Sequence, residues 1–300
     1  MDWKKDLEEA EMVLIGLGNQ FDNEWSDIEA QKLYMDAYDL LAPSKYSWIL
    51  PGYREFLREK ETDRKVHNAL LNLAEAIKQK NYYVISETLH YAVNSLKWKD
   101  DRIVNPIGNL RKKQCKKCCK ESIAEELSDQ ENDRLLECFE RISEFMITQK
   151  ENTKTKGFDG MPEEVVRAMH MIELQNKREE VASYLKKICG NCTNACKHCG
   201  ERSVYNTLYS ENYAEEGYRR QWDRYTKWLG GTRNKRLLLI ELGCDNISYD
   251  VIRHPFEKMA ELNHKAIIYR VNKEDAKLPE KLAEKGFEIS ENAIDWLTNL

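Results

Sequence analysis

The sequence predicts an α/β fold in which helices cover both faces of a parallel sheet and a small cysteine-bearing module interrupts the sheet domain. Four short apolar runs predict the strands, at residues 11–15, 82–86, 237–242 and 265–271. Such near-continuous apolar runs are typical of strands that are buried on both faces. Helical segments separate these strands along the chain, which is the order of parallel βαβ units.

The helices are predicted from apolar periodicity. Residues 28–80 carry a helical pattern that is broken at Pro43 and Pro51, and its last part has one apolar stripe. That stripe consists of Val66, Leu70, Leu73 and Ile77. A further helix is predicted over residues 251–262, between the last two strands, and a short closing helix over 292–300.

The composition changes between the cysteine pairs, which predicts two parts. Residues 1–112 and 206–300 form the sheet domain, and 113–205 form a small module with a helical insertion over 121–188. Two helical faces in the insertion predict a helical hairpin that packs on the main domain, with recognition of a protein partner as the alternative. The residues of these faces are Leu135, Phe139, Ile142 and Met146, then Val165, Met169 and Ile172.

Composition excludes several classes of function. The net charge is −5 with 33% charged residues, so no concentrated basic face favours nucleic acid as a partner. No apolar run reaches membrane-spanning length, and the chain begins with a charged helix. We therefore expect a cytoplasmic protein. The chain has nine cysteines, and in a reducing compartment these indicate a metal site or buried thiols in preference to disulfides.

Two Cys-x-x-Cys pairs predict a structural zinc site. Their four thiolates can complete a tetrahedron, which leaves no open position for a substrate. The predicted ligands are Cys115, Cys118, Cys196 and Cys199. Three further cysteines, Cys119, Cys189 and Cys192, can replace one of these ligands. Cys138 and Cys244 stand alone in the sequence and are predicted to be packing residues.

Several segments together resemble the sirtuin family, and within it the bacterial macrodomain-linked sirtuins. They are Met12–Gly18, Glu241-Leu242-Gly243, Pro255-Phe256, the aromatic stretch 213–228 and the two cysteine pairs. The resemblance covers roughly residues 10–120 and 190–300. It implies a Rossmann-like, sirtuin-type sheet that binds NAD and supports lysine deacylation or ADP-ribose transfer. It also favours Cys196 and Cys199 as ligands, because Gly200 and the short step to Asn206 match the family pattern.

The same resemblance implies where a cofactor would bind. The residues at the corresponding turns and strand ends are Gly16, Gly18, Gln20, Gly243, Ser248 and Asn272. One position departs from the family, because Asp245 stands where the family has a small residue near the phosphates. An ionised carboxylate there would repel a pyrophosphate.

The positions that carry sirtuin catalysis are substituted. Thr88 and His90 stand where the family has the Asn and Asp that hold the nicotinamide side of NAD, and Ile107 stands where it has the catalytic His. Isoleucine cannot accept a proton. His90 and Thr88 remain the candidate catalytic residues, since His90 follows a strand at the edge where open α/β sheets place their sites.

These substitutions predict a sirtuin-like protein that binds NAD or ADP-ribose and whose deacylase machinery is degenerate. The first alternative is an active NAD-dependent ADP-ribosyltransferase, deacylase or NAD hydrolase that uses residues outside the family pattern, such as His90. The second alternative is a protein-interaction module on the same fold.

Overall fold

The computed structural model describes residues 2–96, 98–99, 102–118, 124–154, 161–245 and 249–300. The strands, in chain order, are β1 (Met12–Leu17), β2 (Asn81–Ser86), β3 (Ile103–Val104), β4 (Gly108–Cys115), β5 (Glu125–Glu126), β6 (Ser203–Thr207), β7 (Leu237–Leu242), β8 (Ile267–Val271) and β9 (Gly286–Ile289). The α-helices are α1 (Trp3–Glu9), α2 (Gln20–Asn23), α3 (Ile28–Leu41), α4 (Leu50–Glu59), α5 (Lys65–Ile77), α6 (Tyr91–Ser95), α7 (Asp129–Lys154), α8 (Glu163–Asn176), α9 (Arg178–Cys189), α10 (Glu216–Gly230), α11 (His254–Leu262) and α12 (Ala293–Thr298).

The chain divides into two compact units. Unit 1 comprises Met1–Glu24, Asp63–Asn109 and Glu215–Leu300, and unit 2 comprises Trp25–Thr62 and Leu110–Ala214. The division predicted from the sequence assigns residues 25–62 to the sheet domain. In the structure this segment lies in unit 2, because its helices share a core with α7: the Tyr53 and Phe139 rings lie 5.8 Å apart.

Unit 1 contains a six-stranded sheet with the order β3-β2-β1-β7-β8-β9, and each neighbouring pair of these strands is parallel. The predicted parallel sheet is thus confirmed. The chain builds outward from β1 to β3, then returns to β7 on the other side of β1. The point between β1 and β7, where the strand order reverses, is where open α/β sheets bind their ligands.

Helices cover both faces of this sheet, as the apolar strands predict. Successive residues of a strand point to opposite faces. In β1, Val13 and Ile15 pack into a core that contains residues of α5 and α12, whereas Leu14 packs into a second core with Tyr225 of α10 and Phe256 of α11. The predicted stripe of α5 lies fully in the first core.

Unit 2 combines a helical core with a three-stranded sheet of order β5-β4-β6. The described part of the predicted insertion contains three helices, α7, α8 and α9, rather than a hairpin. The α8 face also differs from prediction: Val165 and Ile172 are 42% and 56% exposed, and His170 and Leu174 are buried instead. Among the described residues, no helix is both long and apolar enough to span a bilayer.

Candidate functional site

The predicted cofactor turns meet at the carboxyl ends of β1 and β7. The Gly18 amide donates to the Leu242 carbonyl over 2.9 Å, and the Gln20 amide donates to the Gly243 carbonyl over 3.2 Å. A Cβ on Gly18 would lie 2.3 Å from the Gly243 oxygen. Gly243 itself has φ +59 with Gln20 against it. These two glycines are therefore required by the close crossing of the chain's own loops.

A polar bridge crosses the point between β1 and β7. The Asn19 side-chain amide donates to the Asp245 carboxylate over 2.7 Å. Asn19 follows β1 and Asp245 follows β7, so the bridge joins the two loops that would border a nucleotide at this edge. The sequence drew attention to Asp245 through its charge, but nothing in the sequence indicated Asn19 as its partner.

Gln20 and Asn272 also hold loops in place. The Gln20 side-chain oxygen accepts from the Ala293 amide at 3.3 Å. The Asn272 side chain donates to the Cys244 carbonyl over 2.7 Å and accepts from two amides of the following turn. The structure thus brings Gly18, Gln20, Gly243 and Asn272 to one edge. Gly16 lies within β1, where a Cβ would lie 2.3 Å from Ile252, and Ser248 lies outside the described residues.

Thr88 and His90 lie together at the end of β2. The Thr88 hydroxyl donates to the buried Asp22 carboxylate over 2.6 Å, and the Leu89 amide donates to the same carboxylate. His90 is 3% exposed, and its Nδ1 accepts from the Ala92 amide at 3.1 Å, which makes His90 the N-cap of α6. In the neutral imidazole this bond leaves the proton on Nε2. His90 thus uses Nδ1 to hold the first turn of α6.

Ile107 lies just before β4 and is buried, with 6% exposure. Its hydrocarbon side chain offers no group for proton transfer.

Glu241 forms a buried charge cluster that the sequence analysis missed. In β7 it lies opposite Arg270 of β8, and their nearest side-chain atoms are 2.8 Å apart. Arg253 approaches the same carboxylate at 3.3 Å. Burial raises the pKa of Glu241, and the two guanidinium groups oppose that shift. The sequence did carry a signal for this cluster, because Glu241 and Arg270 are charged residues within two otherwise apolar strands.

The four predicted zinc ligands converge in unit 2. The sulfur atoms of Cys115, Cys118, Cys196 and Cys199 all lie within 4.8 Å of one another. Zn–S bonds of 2.3 Å in a tetrahedron would place sulfur atoms about 3.8 Å apart. The sulfur atoms of Cys115 and Cys199, of Cys115 and Cys118, and of Cys118 and Cys196 lie 3.3 to 3.5 Å apart, which is close to this spacing. The donor set therefore fits a zinc ion.

The backbone prepares this cluster for a metal. The amides of Lys117 and Cys118 donate to the Cys115 sulfur at 3.3 Å, and Gly200 has φ +75, which suits the tight turn of the second knuckle. The amides of His198 and Cys199 lower the pKa of the Cys196 thiol to about 6. Thiolates bind metals, so this lowered pKa favours ligation.

The other cysteines lie elsewhere. Cys189 and Cys192 are buried in the helical core of unit 2, where the Cys189 sulfur lies 3.3 Å from that of Cys138. This contact and burial raise the pKa of Cys138. Cys244 is fully buried in unit 1, and burial raises the pKa of its thiol. Cys119 lies outside the described residues.

Comparison with known proteins gives partial similarities. No family model matches the chain. A protein called "Protein ADP-ribosyltransferase" from Staphylococcus aureus (strain Mu50) is 26% identical over 78 residues, which is 26% of this chain. The match spans only about a quarter, 25%, of that relative's length.

Solved structures of Sir2 proteins are similar over nearly the whole chain. Sir2Tm bound to a propionylated peptide matches with 13% identity and a TM-score of 0.45, covering 99% of this chain and 95% of that one. A complex of Sir2, a p53 peptide and NAD⁺ matches with 12% identity and a TM-score of 0.43, with the same coverage. These proteins are sirtuins, the family that the sequence resembles. The fold itself is established here by the strand order and the cysteine cluster.

Proposed function

We propose that unit 1 binds an ADP-ribose-type nucleotide, such as ADP-ribose or NAD, and does not catalyse deacylation. The observation that carries the proposal is the meeting of the Gly18 and Gly243 turns between β1 and β7. Open parallel sheets bind dinucleotides at this point, against the loops that follow the two strands. The partial match to a protein named as an ADP-ribosyltransferase supports the same class of ligand.

A nucleotide at this edge must separate the Asn19–Asp245 bridge or lie beside it. The bridge is a charge-assisted hydrogen bond of 2.7 Å, and the Asp245 side chain is partly exposed. The carboxylate would also lie close to the ligand's phosphates. Both features oppose binding, so we expect a lower affinity than an uncharged loop would give.

The arrangement of the catalytic candidates supports the proposal that the protein does not catalyse deacylation. The Thr88 hydroxyl is held by Asp22, His90 caps α6 through Nδ1, and Ile107 is apolar. Activation of a ribose hydroxyl needs a positioned proton acceptor. The described residues supply none at the position where the family has its His.

Zinc has a structural role in this proposal. Cys115 and Cys118 from the first knuckle and Cys196 and Cys199 from the second would hold the ion. The ion would link β4 to the loop before β6, and four thiolates leave no coordination position for a substrate.

Isothermal titration calorimetry with ADP-ribose and NAD tests the nucleotide site, with Asp245→Asn as the matched variant. This substitution removes the charge but keeps the shape and a hydrogen-bonding partner for Asn19. Two unit charges about 5 Å apart repel by roughly 3 kcal/mol at an effective dielectric of 20 and by about 1 kcal/mol in bulk water. Because Asp245 is partly exposed, we expect binding about fivefold to a hundredfold tighter in the variant, with the gain shrinking as salt is raised.

One result would contradict the nucleotide site, and another would contradict only the position given to Asp245. If neither protein binds either nucleotide, the site between β1 and β7 is not a nucleotide site. If both bind equally well at low salt, the nucleotide site stands but Asp245 does not face the phosphates.

An active ADP-ribosyltransferase is the second candidate, favoured by the name of the partial relative. Incubation with labelled NAD, followed by detection of labelled protein, tests it. Label transfer that is lost in His90→Ala but retained in an exposed control such as His264→Ala would establish transfer and place His90 in it.

A further inference from the structure

Unit 2 has a groove on its surface that the nucleotide site does not use. It has a volume of about 970 Å³ and lies between the end of α3, the following residues 43–46, and helices α8 and α9. Its floor is apolar and is formed by the buried side chains Tyr46, Leu174, Val181 and Leu185. Grooves of this kind between helices receive amphipathic helices in many complexes.

Cations surround this apolar floor. Lys45, Arg178 and Lys186 line the groove, and within the described part of the chain none of the three forms an ion pair. The acidic residue of the lining, Asp39, is already paired with Arg167. The groove therefore presents net positive charge to an occupant.

The spacing of the cations favours an elongated occupant. Six residues of α9 line the groove, and five of them, at positions 178, 181, 182, 185 and 186, form one helical stripe with a cation at each end; the sixth is Ser183. Arg178 and Lys186 are eight residues apart, which is about 12 Å along the axis. A lipid with a single anionic headgroup would match one end only. A helix with acidic residues two turns apart would match both.

The outer face of α7 has this pattern. Leu136 and Ile147 are 46% and 47% exposed and lie on the same side of the helix, with exposed glutamates around and between them. Those glutamates are Glu137, Glu140 and Glu144. Glu137 and Glu144 are seven residues apart, about 10 Å along the axis. Glu137 pairs with Arg141 and Glu140 pairs with Lys60, and because both pairs are exposed they offer little competition to a new partner.

We propose that the groove of one copy of this protein receives the outer face of α7 from a second copy. The glutamates of α7 would pair with Arg178, Lys186 and Lys45, and Leu136 would face the apolar floor. The two surfaces are different patches, so each contact joins the groove of one copy to the α7 helix of another. Two copies can make it reciprocally and form a closed dimer, or each can bind the next and form an open chain.

Sedimentation of the 300-residue chain over a wide concentration series tests the proposal. We expect an average mass that rises above the monomer's 35.4 kDa with concentration and falls when salt is added. The groove variant Arg178→Glu/Lys186→Glu and the helix variant Glu140→Lys/Glu144→Lys should each associate about tenfold more weakly or worse, since like charges then face each other. All four positions are exposed, so folding should be retained.

Mixing the two variants gives the sharper result. Copies of one variant repel one another, because the groove and the helix then carry the same charge. In the mixture, an acidic groove meets a basic helix and a basic groove meets an acidic helix. We expect a 1:1 complex from the mixture. Arg224→Glu/Lys227→Glu makes the same charge change at exposed positions of α10, which belongs to unit 1, and this variant should associate like the wild type.

Three outcomes would overturn the proposal. The wild type could remain monomeric throughout the series, or the control could lose association as strongly as the groove variant, or the mixture could remain monomeric. Titration of a monomeric wild type with dodecanoate would then show whether the groove takes an anionic amphiphile instead.

Discussion

Replacement of Glu131 by Gln tests how unit 2 is held together. Glu131 is fully buried, and its carboxylate accepts from the Lys113 ammonium at 2.7 and 2.8 Å and from the Asn194 amide at 2.7 Å. It also forms a capping box with Ser128 at the start of α7. One carboxylate therefore connects the α7 helix, β4 and the loop that leads into the second zinc knuckle.

The expected loss of stability in Glu131→Gln follows from the protonation equilibrium of the Glu131 carboxyl group. Burial opposes its ionisation, but Lys113 and the backbone amides of Asn194 and Ser128 lower its pKa from 4.5 to about 2. Since one pKa unit corresponds to about 1.4 kcal/mol, the ionised form stabilises the fold by about 3 kcal/mol. Removal of one partner from a buried ion pair costs a similar amount, about 3–5 kcal/mol, because Lys113 is left buried and unpaired.

The assay is urea unfolding followed by circular dichroism, on the wild type and Glu131→Gln at several pH values. At pH 7 we expect the variant to be about 3 kcal/mol less stable. A lowered folded-state pKa gives stability that is complete above about 4.5 and is lost as the pH falls towards 2. The difference between the two proteins should therefore shrink over this window.

Glu126→Gln is the matched control, since Glu126 lies in β5 with an exposed side chain 3.8 Å from Lys112. Exposed pairs contribute at most about 1 kcal/mol, so this variant should resemble the wild type. A difference below about 1 kcal/mol between Glu131→Gln and the wild type at pH 7 would refute the reasoning.

Two further predictions concern the metal and the missing catalytic base. Elemental analysis of protein purified without chelator should give about one zinc per chain. The Cys196→Ser variant should lose the zinc. The Cys189→Ser variant should retain it, because the Cys189 sulfur packs against Cys138 in the helical core. Ile107→His should not produce deacylation of acetyl-lysine peptides, because one imidazole does not by itself hold the nucleotide in a productive position. Thr88 and His90 do not hold it either, since their side chains bond to Asp22 and to the Ala92 amide. Measurable deacylation by the wild type or by this variant would contradict the second prediction.

The strands of the main sheet were predictable because burial on both faces leaves a continuous apolar run. β3 and β9 were missed for the opposite reason. β3 has two residues, and β9 is an edge strand with an exposed Glu288. Short edge strands carry little apolar signal, since only one side of them is paired and covered.

Packing against helices that are distant in sequence determines which face of α8 is buried, and apolar periodicity alone could not predict that face. α8 has apolar residues on two faces, and the sequence analysis chose the face with Val165 and Ile172. In the structure the face with Val166, His170 and Leu174 is buried. The choice depends on helices distant in sequence, which also place residues 25–62 in unit 2. No local pattern contains that information.

The glycine turn shows why a shared motif does not settle a shared function. Gly18 and Gly243 are needed here because two loops of the same chain cross within contact distance, whether or not a phosphate ever binds. A nucleotide site therefore depends on the groups that remain accessible beside the glycine turn. The Asn19–Asp245 bridge lies at this position. The spacing of the glycines was visible in the sequence, whereas the bridge depends on two residues 226 positions apart. Removal of the Asp245 charge is for this reason a more informative test of the nucleotide site than any substitution of the glycines, which would disturb the fold itself.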